Sequence, residues 1–532
     1  MTQMNFSFAW APLILVFAMF RPALAADSAE TVIYDEAKQG DFGTAAPNSE
    51  PKIKISDPGV KVIKGTGVDT VDDTDQFVFE VVGDKPFDFC LIADPAEFKK
   101  LRAIDKDGKD KEIGFGSTNP KFRVPPNISK TELPPGKYHV EMYMGPPGAV
   151  GNWVCKIAIR DGGAPVDLCK VQPEPTVAEK MKQVKWPGVV SIFHGASWGN
   201  DEKYLEAIKE CGFGATGCSE NQLDQVRKQG MKGFLFIWPH EVTIIPPKYV
   251  NDDTVLCYYL SDRIKPSQWG AWASQEKLAW RADPHHPAVF TMYALMGGIP
   301  QFPDIVRGRL MEFYHYHWDG GRAPHMHYAI LEAYRQASAA NGHVPICLIA
   351  ETRAEDVRKT RETIYSALAY GVRGFRTGGA GLFDVKNRDE QGRPKRTIHG
   401  EEALKFNQAI KAYSPVFEKA RNVDVFHTAP LPGGTKEAPA DHWVRPSGEH
   451  VVLGEFADPD KNRFLMLANR DAFAAHEATL TFADGGVKVE RMDKLTGKWQ
   501  PLTVEAKDNK ATVKVPLEEG GGELLRVLYL KS

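Results

Sequence analysis

The sequence predicts a multidomain chain in which a (β/α)8 barrel, the TIM-barrel form of the α/β class, lies between an N-terminal and a C-terminal β-sandwich. Three observations predict it. Short strand-like runs separated by Gly, Pro and Asp clusters fill residues 31 to about 159, as in DQFVFEVV and KYHVEMYM. Apolar strands then alternate with amphipathic helical segments eight times in about 240 residues, the usual size of such a barrel. From about residue 422 the pattern returns to strands alone, as in HVVLGEFAD and NRFLMLANRD.

Taken in order, residues 1–25 read as a signal peptide. FAWAPLILVFAMF is apolar and too short for a span. Ala23-Leu24-Ala25 follows it as a small-x-small cleavage site, although MTQMN before it carries no Lys or Arg. The expectation is an exported chain, secreted or periplasmic, with no membrane span after cleavage. Residues 31–165 are expected to form the first sandwich. Residues 166–185, rich in Pro and polar residues, are expected to form a linker. Of the seven cysteines, Cys257 and Cys347 sit in apolar strand runs and read as small core residues. In an exported chain Cys90 and Cys155 could pair.

The barrel is expected over residues 186–421. Its strands are read from GVVSIFH, GATGCS, KGFLFIW, TVLCYYLSD, PAVFTMYAL, RLMEFYHYHWD, VPICLIAE and VRGFRTGG. EVTIIPPKYVND, where the third helix would fall, offers little helix. No Gly-rich phosphate loop follows any strand, which argues against a nucleotide fold. Residues 422–532 complete the chain as the second sandwich. A net charge of −3, with no basic stripe, argues against nucleic acid as a partner.

Working residues of such a barrel gather at the C-terminal ends of its strands. Those positions hold His194 and Trp198 after the first strand, Trp238 and Glu241 after the third, and Asp262 and Arg263 at the fourth. Tyr293 follows in the fifth, His315, His317 and Asp319 in the sixth, Glu351 at the end of the seventh and Arg376 in the eighth. Two opposed carboxylates, Asp262 and Glu351, suit cleavage of a glycosidic bond: one donates a proton to the leaving oxygen, the other attacks or activates water. The bland alternative for Asp262 is capping the following helix, and that for Glu351 is an ion pair with Arg353 or Arg376. His315, His317 and Asp319 share one strand face, but the further ligands of a barrel metal centre are not evident, so no cofactor is expected.

YYLSDRIKPSQW, followed by LAWRADPHHPAVF, resembles the segment of clan-A-type glycoside hydrolase barrels that reads YxxxDEP and then DPxHP. ICLIAETRA is similar to their seventh strand, which ends in the nucleophilic glutamate. GVRGFRTGG, LANRDAFAAHEATLTF and MDKLTGKW are similar to the rest of that architecture. The N-terminal segment resembles a pre-peptidase C-terminal-type sandwich. The first resemblance implies a carbohydrate substrate and makes Glu351 the nucleophile. It also places Arg263 where the family has its acid/base glutamate, and a guanidinium stays protonated and cannot fill that role. Asp262 would then be the acid, or Glu241 or Asp319 would supply it, or the barrel would have lost hydrolysis and only bind. Arg263, His194, Trp198, Trp238, Tyr293, His315, His317, Asp319 and Arg376 would hold the sugar. Two other readings stand beside hydrolysis: a non-catalytic glycan-binding protein on a degenerate barrel, and a metal-dependent hydrolase.

Overall fold

The computed structural model describes residues 31–39, 49–66, 76–94, 97–104, 107, 109–112, 127–143, 152–159, 175–194, 201–238, 241–242, 244–264, 269–292, 308–314, 327–350, 356–378 and 381–529. It is a multidomain chain with an eight-stranded parallel barrel and two sandwich-like pairs of sheets, the predicted fold class. The signal-like segment lies outside the described residues. Among those described, no helix is long and apolar enough to cross a membrane.

The N-terminal module consists of two five-stranded sheets. Phe77, Phe79, Phe87, Phe89 and Tyr138 fill the space between them, with Phe79 stacked on Phe89 at 5.9 Å and on Tyr138 at 5.4 Å. A Cys90–Cys155 pairing, which the sequence allows, is not formed. Cys155 is a buried free thiol, whereas Cys90 is disulfide-bonded. The register explains why. Cys155 lies opposite Leu91 and Cys90 opposite Lys156, so the two sulfurs leave opposite faces of one sheet. Cys155 joins the Phe79 core, and Cys90 packs with Val60, Val62 and Ala158.

The barrel closes in sequence order through β1 (Val190–His194), β2 (Ala215–Cys218), β3 (Lys232–Phe236), β4 (Val255–Ile264), β5 (Ala288–Met292), β6 (Met311–Tyr314), β7 (Ile346–Ala350) and β8 (Gly374–Gly378). Alternation along each strand sorts the side chains. Val190, Ile192, Ala215, Phe234, Cys257, Tyr259, Val289 and Cys347 form the interior cluster. Phe193, Leu235, Tyr258, Phe290, Phe313, Leu348 and Phe375 face the helical layer. Small residues make room for the aromatic ones. A Cβ on Gly374 would stand 2.1 Å from Cys347 Sγ.

The helices follow from their caps and spacing. Asp201 caps Glu202–Glu210, Asp356 caps Val357–Ala369 and Thr397 caps Ile398–Lys419, each side chain accepting from a first-turn backbone N–H. As the sequence suggests, the described residues of the third connection hold no α-helix; a 3-10 turn forms at Pro246–Lys248.

The C-terminal module pairs a six-stranded and a four-stranded sheet. Its six-stranded sheet lies directly on Val357–Ala369. A Cβ on Gly454 would fall 2.0 Å from the Ala369 carbonyl oxygen. Val425, Val452, Phe456, Met466 and Leu524 of that sheet belong to the same core cluster as the barrel helices.

Candidate active site

The interior of the barrel is aliphatic and aromatic at one end and polar at the other. Arg376 of β8 is at 0% exposure, and so are Glu312 of β6 and Thr291 of β5. The guanidinium donates to Glu312 Oε2 at 2.8 Å and to Thr291 Oγ1 at 2.9 Å. Thr291 in turn donates to Glu312 and lies 3.2 Å from the Tyr259 hydroxyl. The guanidinium carbon also sits 4.7 Å from the Tyr259 ring centre and 5.3 Å from that of Phe234, a cation–π arrangement. Removing two charges from water costs several kcal/mol per ion, so this pair persists through its partners.

The same guanidinium reaches the mouth. Arg376 Nη1 lies 2.7 Å from Nδ1 of His194, the last residue of β1. Arginine only donates, so Nδ1 accepts and the ring proton belongs on Nε2. The barrel therefore fixes the tautomer of a half-buried histidine at the strand end, with Phe236 packed edge-on at 6.4 Å.

Below the cluster, Cys257 and Cys347 are fully buried. Burial pushes the Cys257 and Cys347 thiols well above their ordinary range, and the negative charge of Glu312 adds to it.

Trp238, just past β3, is 69% exposed. Its backbone N–H donates to Glu241 Oε2 at 2.7 Å, so that carboxylate closes its own turn. Asp262 and Arg263 lie on β4, which runs on to Ile264 instead of stopping at the aspartate. The register against β5 slips between Tyr259 and Ser261 and again between Ser261 and Ile264. The backbone at Asp262 is still strand and stays so to Ile264, so Asp262 does not cap the following helix. The side chains of Asp262 and Arg263 lie outside the described residues. So do Trp198, Tyr293, His315, His317, Asp319 and Glu351.

Glu312, Thr291 and Tyr259 were not singled out from the sequence. Glu312 had a signal, a lone charge inside the apolar run LMEFY, which a buried strand tolerates only beside a counter-charge. His286 Nδ1 lies 2.7 Å from Asp283 Oδ2, to which the Tyr258 hydroxyl donates at 2.7 Å, and all three are buried.

No protein-family model matches the chain, and no curated relative does. Among solved structures, one described as a glycoside hydrolase is similar at 11% identity over 64% of this chain and 92% of its own, with a TM-score of 0.40. A glycoside hydrolase family 5 structure from Bacteroides vulgatus ATCC 8482 covers 64% of this chain and 89% of its own at 11% identity and a TM-score of 0.41. A GH27 β-L-arabinopyranosidase from Geobacillus stearothermophilus covers 65% and 97% at 9% identity and 0.41. The fold class itself rests on the strand order given above.

Proposed function

We propose that the chain is an exported glycoside hydrolase acting on a polysaccharide or oligosaccharide, with Glu351 as nucleophile or base and Asp262 as acid. The observation that carries this reading is the polar cluster of Arg376, Glu312, Thr291 and His194 inside an otherwise apolar barrel. Burying an ion pair costs free energy, and this one orients a histidine at the strand end, where a barrel holds its site. Trp238 offers an exposed ring face of the kind that packs on sugar C–H groups.

In this reading Asp262 gives its proton to the leaving oxygen while Glu351 attacks the anomeric carbon or takes a proton from water. A carboxyl separation of about 5–5.5 Å would give retention and about 6.5–9.5 Å inversion. His194 would donate from Nε2–H to a sugar hydroxyl, and Arg376 would act through it as a positioning residue. Arg263, Trp198, Tyr293, His315, His317 and Asp319 would complete the sugar contacts. The proposed barrel spans residues 186–421, and the proposed mature chain starts at Ala26, which intact-mass measurement of exported protein would register.

The test is turnover of a panel of aryl glycosides and polysaccharides by the wild type and by Glu351→Gln and Asp262→Asn. Loss of about a thousandfold or more in kcat in both variants, with glycan binding retained, is the expected result. Turnover unchanged in Glu351→Gln would overturn the reading. Arg263 in the acid position favours a second one, a glycan-binding protein without catalysis. Binding by the wild type with no turnover of any substrate is its signature.

A further inference from the structure

We propose that His450, Asp471 and His476 form a site for a zinc-class divalent transition-metal ion that ties together the two sheets of the C-terminal sandwich. One ligand atom from each residue lies within 4.8 Å of those of the other two. An ion about 2.0–2.2 Å from each donor needs donors roughly 3–3.5 Å apart, so side-chain adjustments of about 1 Å close the site. One pair is already there, with His476 Nε2 3.2 Å from Asp471 Oδ2.

The surroundings hold the three residues in place. Asp471 Oδ1 accepts from the backbone N–H groups of Phe473 at 2.8 Å and Ala474 at 3.1 Å, which directs Oδ2 toward His476. His450 has φ +60°, a conformation that few non-glycine residues adopt and in which histidine is enriched. Two backbone bonds fix it there, His450 N–H to Ala429 O at 3.0 Å and Arg470 N–H to His450 O at 2.9 Å. The His450 and His476 rings then stand 5.1 Å apart.

The Arg470 guanidinium opposes a dication. It is turned to the carbonyls of Thr428 and Pro430, and its charge sets a limit on affinity.

Two imidazoles and one carboxylate select zinc-class ions over calcium or magnesium, which take oxygen ligands. The topology gives the ion its role. His450 precedes the strand Val451–Ala457, and Asp471 follows Arg463–Asn469, neighbours in the six-stranded sheet. His476 opens His476–Phe482, which belongs to the four-stranded sheet. An ion here would pin the crossover from one sheet to the other. This site is independent of the barrel-mouth reading.

The experiment is calorimetric titration of the chelator-treated, full-length protein with zinc chloride, paired with thermal unfolding. Two conservative variants keep the local backbone: His450→Asn tolerates the positive φ, and His476→Gln keeps a donor to Asp471. The wild type is expected to bind zinc at this site with a raised unfolding midpoint. Each variant is expected to weaken that binding by about tenfold or more and to abolish the rise, whereas His315→Ala/His317→Ala leaves both intact. The proposal is overturned if the wild type binds no zinc, if binding survives in both conservative variants, or if it is lost in His315→Ala/His317→Ala instead. An equal response to magnesium chloride would overturn the ligand class.

Discussion

Arg376 illustrates how a single side chain can be both legible and misread. A charged residue on the inward parity of a barrel strand points to the site, and the sequence could say that much. The structure adds that the guanidinium is fully buried and paired with Glu312, so any influence on a ligand passes through His194. Glu312 went unnoticed because one carboxylate inside an apolar strand has no periodic signature, and its partner lies two strands away around the barrel. Arg376→Met would leave Glu312 buried without its counter-charge and should cost about 3–5 kcal/mol in urea unfolding. Replacing both, as Arg376→Met with Glu312→Leu, should recover much of that loss. Gly374 tests the layer beneath. Gly374→Ala drives a methyl group into Cys347 Sγ and should destabilise by about 1–3 kcal/mol, with Cys347→Ala as the relieving second change.

At the scale of elements, periodicity located all eight barrel strands, and the caps explain where the later helices begin. Two features escaped. The extension of β4 through Asp262 to Ile264 depends on pairing with β5 across two register slips, a tertiary effect that no local pattern encodes. The hairpin Phe383–Arg388 with Pro394–Arg396 is short and exposed along its first strand, so it lacks the half-buried alternation by which strands are recognised. Cap chemistry yields a sharper expectation. Thr397 Oγ1 accepts from Gly400 N–H at 3.3 Å and donates to the Gly381 carbonyl, joining the start of Ile398–Lys419 to the loop after β8. Thr397→Ala should therefore lower stability by about 1 kcal/mol, read from the denaturant midpoint at unchanged slope.

Over the whole molecule the order sandwich, barrel, sandwich was legible because each module has its own rhythm. The merging of two of their cores was not, since composition says nothing about which faces meet. His427 sits at that seam. It lies 2.8 Å from the Tyr370 hydroxyl and edge-on to Tyr328 at 4.9 Å. Burial, helped by the Arg470 charge, pushes its pKa down to about 3. An unfolded histidine titrates near 6.5, so below that pH the unfolded chain takes up a proton that the folded one refuses. Stability is then lost as pH falls from about 6.5 toward 3, by at most about 1.4 kcal/mol per pH unit from this group. His427→Gln should remove that share of the slope in unfolding measured across the interval.

The strand Gly522–Tyr529 lies inside the six-stranded sheet, between Arg463–Asn469 and Val487–Met492, rather than at its edge. On the ribosome this central piece is translated after every other strand of the sheet, and the flank of the barrel beneath waits for it. A message damaged late in the reading frame would thus yield a polypeptide with a gap in the middle of its wall, a lesion that quality-control proteases can recognise. Ending translation before Gly522 should accordingly remove the soluble product, although every residue of the barrel would have been made.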